Sequence, residues 1–178
     1  MQIETERLIL REFREDDCRA MSAYWENPLY QRYNPEVDDA GAVARHLCRT
    51  FIATQSDEPR RKWQLAVTLK DSGDLIGNCG IRVNAPEHCE ANIGYELNPD
   101  DWGQGFATEA ATAIIRFGFE DLGLHRIWAE CNAENAGSIR VLTKLGMQRE
   151  ARFREHQWFR NRWWDTEIYA ILDCEWDK

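Results

Sequence analysis

The stretch Trp102-Gly103-Gln104-Gly105-Phe106-Ala107-Thr108-Glu109-Ala110 constrains the fold of this chain more than any other. It follows an alternating apolar run and opens directly into a helix of apolar periodicity, so a strand must end, turn tightly on two glycines and become helix within a few residues. The first amides of such a helix have no intrahelical partner and lie at the positive end of its dipole, which suits a diphosphate. The same glycines would also serve a plain strand-to-helix turn, and a short glycine motif alone does not separate the two.

A chain of 178 residues can bury a full core without disulfides or metals, which predicts one domain over residues 1–178. The excess of 31 acidic over 22 basic residues, a formal charge of -9, disfavours direct nucleic-acid binding and accommodates a cationic ligand more readily. No apolar run has the length of a membrane span, and the opening Met-Gln-Ile-Glu-Thr-Glu-Arg lacks the layout of a signal peptide, so a cytoplasmic protein without a membrane partner is expected. Cys18, Cys48, Cys79, Cys89, Cys131 and Cys174 are scattered without metal-ligand spacing and read as small core residues; no metal is expected. His46, His88, His125 and His156 are equally dispersed.

Strands and helices follow in mixed order. Residues 7–13 read as a strand, Asp16-Asp17 as the N-cap of a helix ending before Asn27-Pro28, and Asp38-Asp39 as the start of a helix carrying Val43, Leu47 and Phe51 on one face. Residues 63–69 and 75–83 form a hairpin across Lys70-Asp71-Ser72-Gly73-Asp74, and 91–97 is a strand with Ile93, Tyr95 and Leu97 on one side and Glu96 on the other. A helix from about Gly105 to Leu122 puts Ala110, Ile114 and Phe117 on its core stripe and stops at Gly123. A buried strand over 125–131, a short helix to Leu145 capped by Gly146, and strands near 147–153 and 165–172 complete an α/β, α+β-type mixed sheet with helices on both faces.

Four segments occurring in order resemble the GNAT N-acetyltransferase superfamily, and within it the RimJ/RimL-like branch. They are the turn at 102–110; Asn132-x-x-Asn135-x-x-Ser138-x-x-x-Leu142-x-x-x-Gly146-Met147; the opening Glu4-Thr5-Glu6-Arg7-Leu8-Ile9-Leu10-Arg11; and the tail Trp164-Asp165-Thr166-Glu167-Ile168-Tyr169-Ala170. The resemblance implies a mostly antiparallel central sheet with a splayed parallel pair, and transfer of an acetyl group from acetyl-CoA to a primary amine. It places the pantetheine arm beside the strand ending at Glu96-Leu97-Asn98, the diphosphate on Gly103, Gln104, Gly105, Phe106, Ala107 and Thr108, the pantetheine amides on Asn135, and the thioester carbonyl on the Leu97 amide. Trp102 replaces the Arg or Gln of the general pattern, as is usual in this branch, and Gln104 stands where many relatives carry Lys. Cofactor affinity then rests mostly on backbone amides and the helix dipole.

The chemistry needs a base for the amine and an acid for the departing thiolate. Glu96, off the apolar face at the end of the cofactor strand, is the candidate base; its alternative is a solvated strand-end glutamate. The tyrosine that many superfamily members use as acid falls at Leu142, which leaves Ser138 as candidate donor to sulfur or as a helix-surface residue. By the same resemblance, residues 25–37 and 153–164 wall the acceptor channel, where Trp25, Tyr30, Tyr33 and Trp163 are candidate lining residues. An α-amino group of a peptide or protein of the ribosomal-protein type is the favoured acceptor. The alternatives are a small amine (polyamine, amino acid or antibiotic) or a non-catalytic acyl-CoA sensor.

Overall fold

The computed structural model describes residues 1–176; the last two positions of the expected 1–178 domain lie outside the described residues. In chain order the elements are β1 (Gln2–Glu4), β2 (Leu8–Arg11), α1 (Asp17–Trp25), α2 (Pro28–Gln31), α3 (Ala40–Ala53), β3 (Lys62–Leu69), β4 (Leu75–Ala85), β5 (Glu90–Leu97), α4 (Phe106–Glu120), β6 (Arg126–Asn132), α5 (Ala136–Lys144), β7 (Gln148–Phe159) and β8 (Arg162–Leu172). The eight strands form one sheet in the order β1-β2-β3-β4-β5-β6-β8-β7. Neighbours run antiparallel except β5 and β6, which are parallel and pair only from Glu90–Arg126 to Asn92–Trp128 before they diverge. This is the splayed pair that the resemblance implies.

Strand alternation divides the core between two faces. Leu65, Val67, Cys79, Ile81, Ile93 and Leu97 point to the side covered by Ala110, Ile114 and Ile115 of α4 and Leu142 of α5. Ala66, from the same strand, points to the opposite side and packs with Cys18, Met21 and Tyr24 of α1 and Ala44 and Cys48 of α3. Helices therefore cover both faces, and each residue of β5 has its neighbourhood fixed by its parity.

Several local expectations change. Asp16 precedes α1 without capping it; Asp17 instead accepts from the Arg14 amide at 2.7 Å and from both Arg11 guanidinium nitrogens, which ties the helix start to β2. On α3 the fully buried line is Ala40, Ala44 and Cys48, and Val43, Leu47 and Phe51 are half-buried beside it. Small residues let α3 approach α1 closely, and Cys18 and Cys48 join the two helices as a disulfide. Of the other cysteines Cys79 is core, Cys131 half-buried, and Cys89 and Cys174 exposed, so the reading of all six as core residues does not hold. Cys89 sits at positive φ in the turn before β5, and Cys174 in the terminal helical turn. The last two strands are longer than expected and form one hairpin, turned by Arg160 and Asn161, both at positive φ.

Candidate active site

On the face covered by α1 and α3, the middle of the sheet carries a polar layer in otherwise apolar strands. Register places Asn78 of β4 between Ala66 of β3 and Glu96 of β5, and Gln64 beside Gly80. Gly80 is required there, because a Cβ would lie 2.5 Å from the Gln64 Oε1 and 2.6 Å from the Trp63 carbonyl. Arg82 Nη2 donates to Gln64 Oε1 at 2.6 Å, Gln64 Nε2 to Asn78 Oδ1, and Asn78 Nδ2 to Glu96 Oε1. Each amide thus hands an oriented dipole toward the carboxylate, and the buried polar groups satisfy one another. Burial holds the Arg82 guanidinium below its ordinary value despite the opposing pull of Cys79 and Glu96.

The helices complete the ring around Glu96. Tyr24 Oη and Trp25 Nε1 each donate to Glu96 Oε1 at 3.0 Å, and Tyr30 Oη donates to Oε2. Burial first, and then the carboxylate charge, push both phenols up, so they hold their protons and act as donors. Three donors meet Oε1 and one meets Oε2, so Oε2, beside the Tyr30 hydroxyl, is the less crowded carboxylate oxygen. The strand parity of Glu96 and the aromatic content of α1 and α2 were legible in the sequence. Tyr24, Asn78, Gln64 and Arg82 were not picked out, although for the three strand residues a polar side chain at an inward position of an apolar strand was the signal.

The other two channel candidates separate. Tyr33 meets Trp164 edge to face, 6.1 Å between centroids, and Arg160 ties the hairpin tip to this loop through the Gln31 carbonyl and the Glu36 carboxylate. Trp163, one residue from Trp164 on β8, necessarily faces the other side of the sheet, where it packs against Trp158 and stays half exposed. Trp164 therefore occupies the place expected of Trp163 on the face of Glu96.

The cofactor candidates gather at the splay. The Asn98 amide donates to Ile76 of β4, so the preceding Leu97 amide points the opposite way, into the gap left by β6. Trp102 Nε1 donates to the Leu97 carbonyl at 2.9 Å and fixes that residue, a role for Trp102 not read from the sequence. Asn98 uses its side chain to cap the helical turn Pro99–Asp101. Beyond it the chain turns at Gly103 and Gly105, with φ of +80 and +86, and enters α4 without a side-chain cap. Gly103, Gln104 and Gly105 are exposed, Ala107 and Thr108 half-buried, and Phe106 is buried as the anchor of the turn. Uncapped amides behind two left-handed glycines are the chemical requirement of a diphosphate cradle, and these residues fit one.

Across the splay, Asn135 N-caps α5 by accepting from the Ser138 amide at 3.1 Å, which leaves its NH2 group for a ligand carbonyl. Tyr95 of β5 donates to the Ser138 carbonyl at 3.2 Å. The Ser138 hydroxyl takes part in neither bond. Leu142 is buried in the core. Ser138→Ala is expected to lower turnover about ten- to a thousandfold, with the affinity for CoA nearly unchanged because the helix cap uses only the backbone. Steady-state kinetics at saturating acetyl-CoA check this; wild-type turnover would leave Ser138 as a helix residue.

Residues 7–148 match the family model described as an acetyltransferase (GNAT) domain. The chain belongs to the GNAT acetyltransferase family. It is 37% identical over 99% of its length to the whole of the uncharacterized N-acetyltransferase YnaD of Bacillus subtilis. A solved GNAT-family acetyltransferase from Bacillus anthracis superposes with a TM-score of 0.83 at 33% identity, covering 97% of this chain and 99% of that one. A more distant relative, the [ribosomal protein uS5]-alanine N-acetyltransferase of Escherichia coli, is 23% identical over 99% of this chain and 93% of its own. These relatives bear out the GNAT and RimJ/RimL-like resemblance and an acetyl-CoA-dependent N-acetyltransferase activity. Among the described residues no acidic, His or Cys cluster is arranged to hold a metal ion, and no helix is long and apolar enough to cross a membrane.

Proposed function

We propose that this GNAT enzyme acetylates the α-amino group of a peptide or protein in the cytoplasm, with Glu96 as base and Ser138 as acid. The observation that carries the reading is the fixed carboxylate of Glu96, held by four donors at the end of the strand whose backbone lines the splay. Gly103, Gln104, Gly105, Phe106, Ala107 and Thr108 would hold the diphosphate of acetyl-CoA, and Leu97, Asn98 and Asn135 the pantetheine end. The amine gives a proton toward Glu96 Oε2 and attacks the thioester carbon. A C–N bond forms, the Leu97 amide takes up charge on the carbonyl oxygen, and the C–S bond breaks as the Ser138 hydroxyl proton passes to sulfur while the second proton of the amine nitrogen passes to the Ser138 oxygen and restores its hydroxyl.

Trp25, Tyr30 and Tyr33 form the aromatic side of the acceptor approach. One carboxylate is a sufficient base for an α-amine with a pKa of about 7.7–8.0, but faces a far larger protonated fraction in a lysine at about 10.4. The uS5-alanine relative supports the same choice at the distance of its 23% identity. A short lysine-containing peptide with a free N-terminus is expected to be acetylated there, and the same peptide blocked at its N-terminus is expected to stay unmodified. Mass spectrometry of the two products decides it. Acetylation confined to lysine, or a polyamine turned over far better than any peptide, would move the enzyme to another acceptor class.

A further inference from the structure

Outside the groups used above, a charged cluster lies behind the glycine turn. Glu109, in the first turns of α4, accepts from Thr5 Oγ1 at 2.6 Å, from the Arg7 amide at 2.8 Å and from Arg7 Nε at 2.7 Å, and Arg7 Nη2 lies 2.6 Å from its Oε2. The Glu109 side chain is only 16% exposed. Its carboxyl is held below the ordinary range: burial opposes this, and the bonds from Thr5 and Arg7 outweigh it. The same guanidinium donates through Nη1 to the Gln104 carbonyl at 3.0 Å and lies 4.5 Å from the centre of the Phe106 ring. Arg7 therefore touches the turn at its carbonyl, its buried anchor and its first helical carboxylate together.

We infer that Arg7, locked by Glu109, is a positioning residue that sets the amide directions of the diphosphate cradle. The inference rests on reading residues 103–108 as that cradle. In a planar trans peptide the C=O and the following N–H point opposite ways. Holding the Gln104 carbonyl inward on Arg7 thus aims the Gly105 amide outward, toward the ligand side of the turn. Gly105, at left-handed φ, would otherwise leave this peptide plane free to rotate, because glycine resists such rotation least. A second consequence is electrostatic. A carboxylate near the start of α4 competes with an incoming anion for the helix dipole, and the guanidinium neutralises it. Lysine cannot replace this pattern, since a single ammonium does not present the fork that reaches both Glu109 and the Gln104 carbonyl.

The test is calorimetric CoA binding, with kcat and KM for acetyl-CoA and thermal melting, on Arg7→Met, Arg7→Lys and Glu109→Gln. Arg7→Met keeps a stem over Phe106 and removes the fork. It is expected to raise the Kd of CoA and the KM for acetyl-CoA about ten- to a hundredfold, the loss of charge-assisted hydrogen bonds, while kcat at saturation stays within about threefold. Arg7→Lys and Glu109→Gln should fall between it and the parent, and they carry the test if Arg7→Met does not fold. A residue that only stabilised the fold would lower the melting temperature and leave Kd and KM unmoved; that result, or a fall in kcat at constant KM, overturns the inference. Binding by Gly105→Glu as tight as the parent's would instead overturn the cradle reading itself, so the two failures are distinguishable.

Discussion

Gly105→Glu is expected to abolish the thermal stabilisation that CoA gives the parent protein. At a ligand concentration a hundredfold above Kd, binding adds about 2.7 kcal/mol to the folded state, which for a chain of this size is a rise of about 5–11 °C in Tm. The substitution acts on three counts. Gly105 has φ of +86, where a side chain is strained. A Cβ there lies 3.5 Å from Arg7 Nη2, so the new carboxylate can draw Arg7 from Glu109 and from the Gln104 carbonyl. It also adds a negative charge to the proposed diphosphate cradle. Gly105→Ala separates these effects: it carries the strain without the charge, and should lose part of the parent's Tm but keep a measurable shift with CoA. Equal shifts for Gly105→Glu and the parent, measured by scanning fluorimetry across a CoA series, would remove this turn from the cofactor site.

Glu96→Gln carries the other large effect, a fall in turnover of about a hundred- to ten-thousandfold, the usual range for a lost general base. The geometry makes this substitution a fair probe. Its amide oxygen can take the Oε1 place and keep the donations of Tyr24, Trp25 and Asn78, while its NH2 faces Tyr30, whose hydroxyl can turn and accept. The ring survives and the proton acceptor is gone. The deficit should be largest at lower pH, where more of the acceptor amine is protonated, and should narrow as pH rises toward the amine pKa. CoA affinity should hold, since the side chain faces α1 and α3 and only the backbone of β5 faces the splay. A pH-rate profile parallel to the parent's, at wild-type height, would return Glu96 to a buried structural carboxylate.

The sequence made the framework legible where one local rule acts alone. Period-two alternation in β3, β4 and β5 assigned Glu96 to the face opposite Leu97, and the glycines at 103, 105 and 146 marked turns that do adopt positive φ. It failed where two elements compete for the same residue. The i, i+4, i+8 pattern of α3 has two readings one residue apart, and the smaller set won because α1 lies close enough to exclude larger side chains. Trp163 and Trp164 are adjacent aromatics, and nothing local says which faces Tyr33; the register of the hairpin decides it. The partners of Glu96 come from β4, α1 and α2, up to 72 residues away in sequence, and only the folded sheet brings them together. Arg7 and Glu109, 102 residues apart, lie in two of the segments that carry the family resemblance, but their contact could not be seen from either segment alone.

The short pairing of β5 with β6 has a consequence for which ligands can be admitted. A strand edge at the rim of a sheet is open to any neighbouring chain and is a standing hazard of association. Here the exposed edge lies inside the molecule, between Glu90–Leu97 and a strand that turns away after three paired residues, with helical layers above and below. A second sheet has no way to lie down in that seam, whereas a thin, unbranched chain carrying its own amides can thread it and pair with the backbone. On the proposed reading the seam would sort visitors by cross-section before any side chain is consulted, leaving the glycine turn and Glu96 to recognise only what such a thread carries.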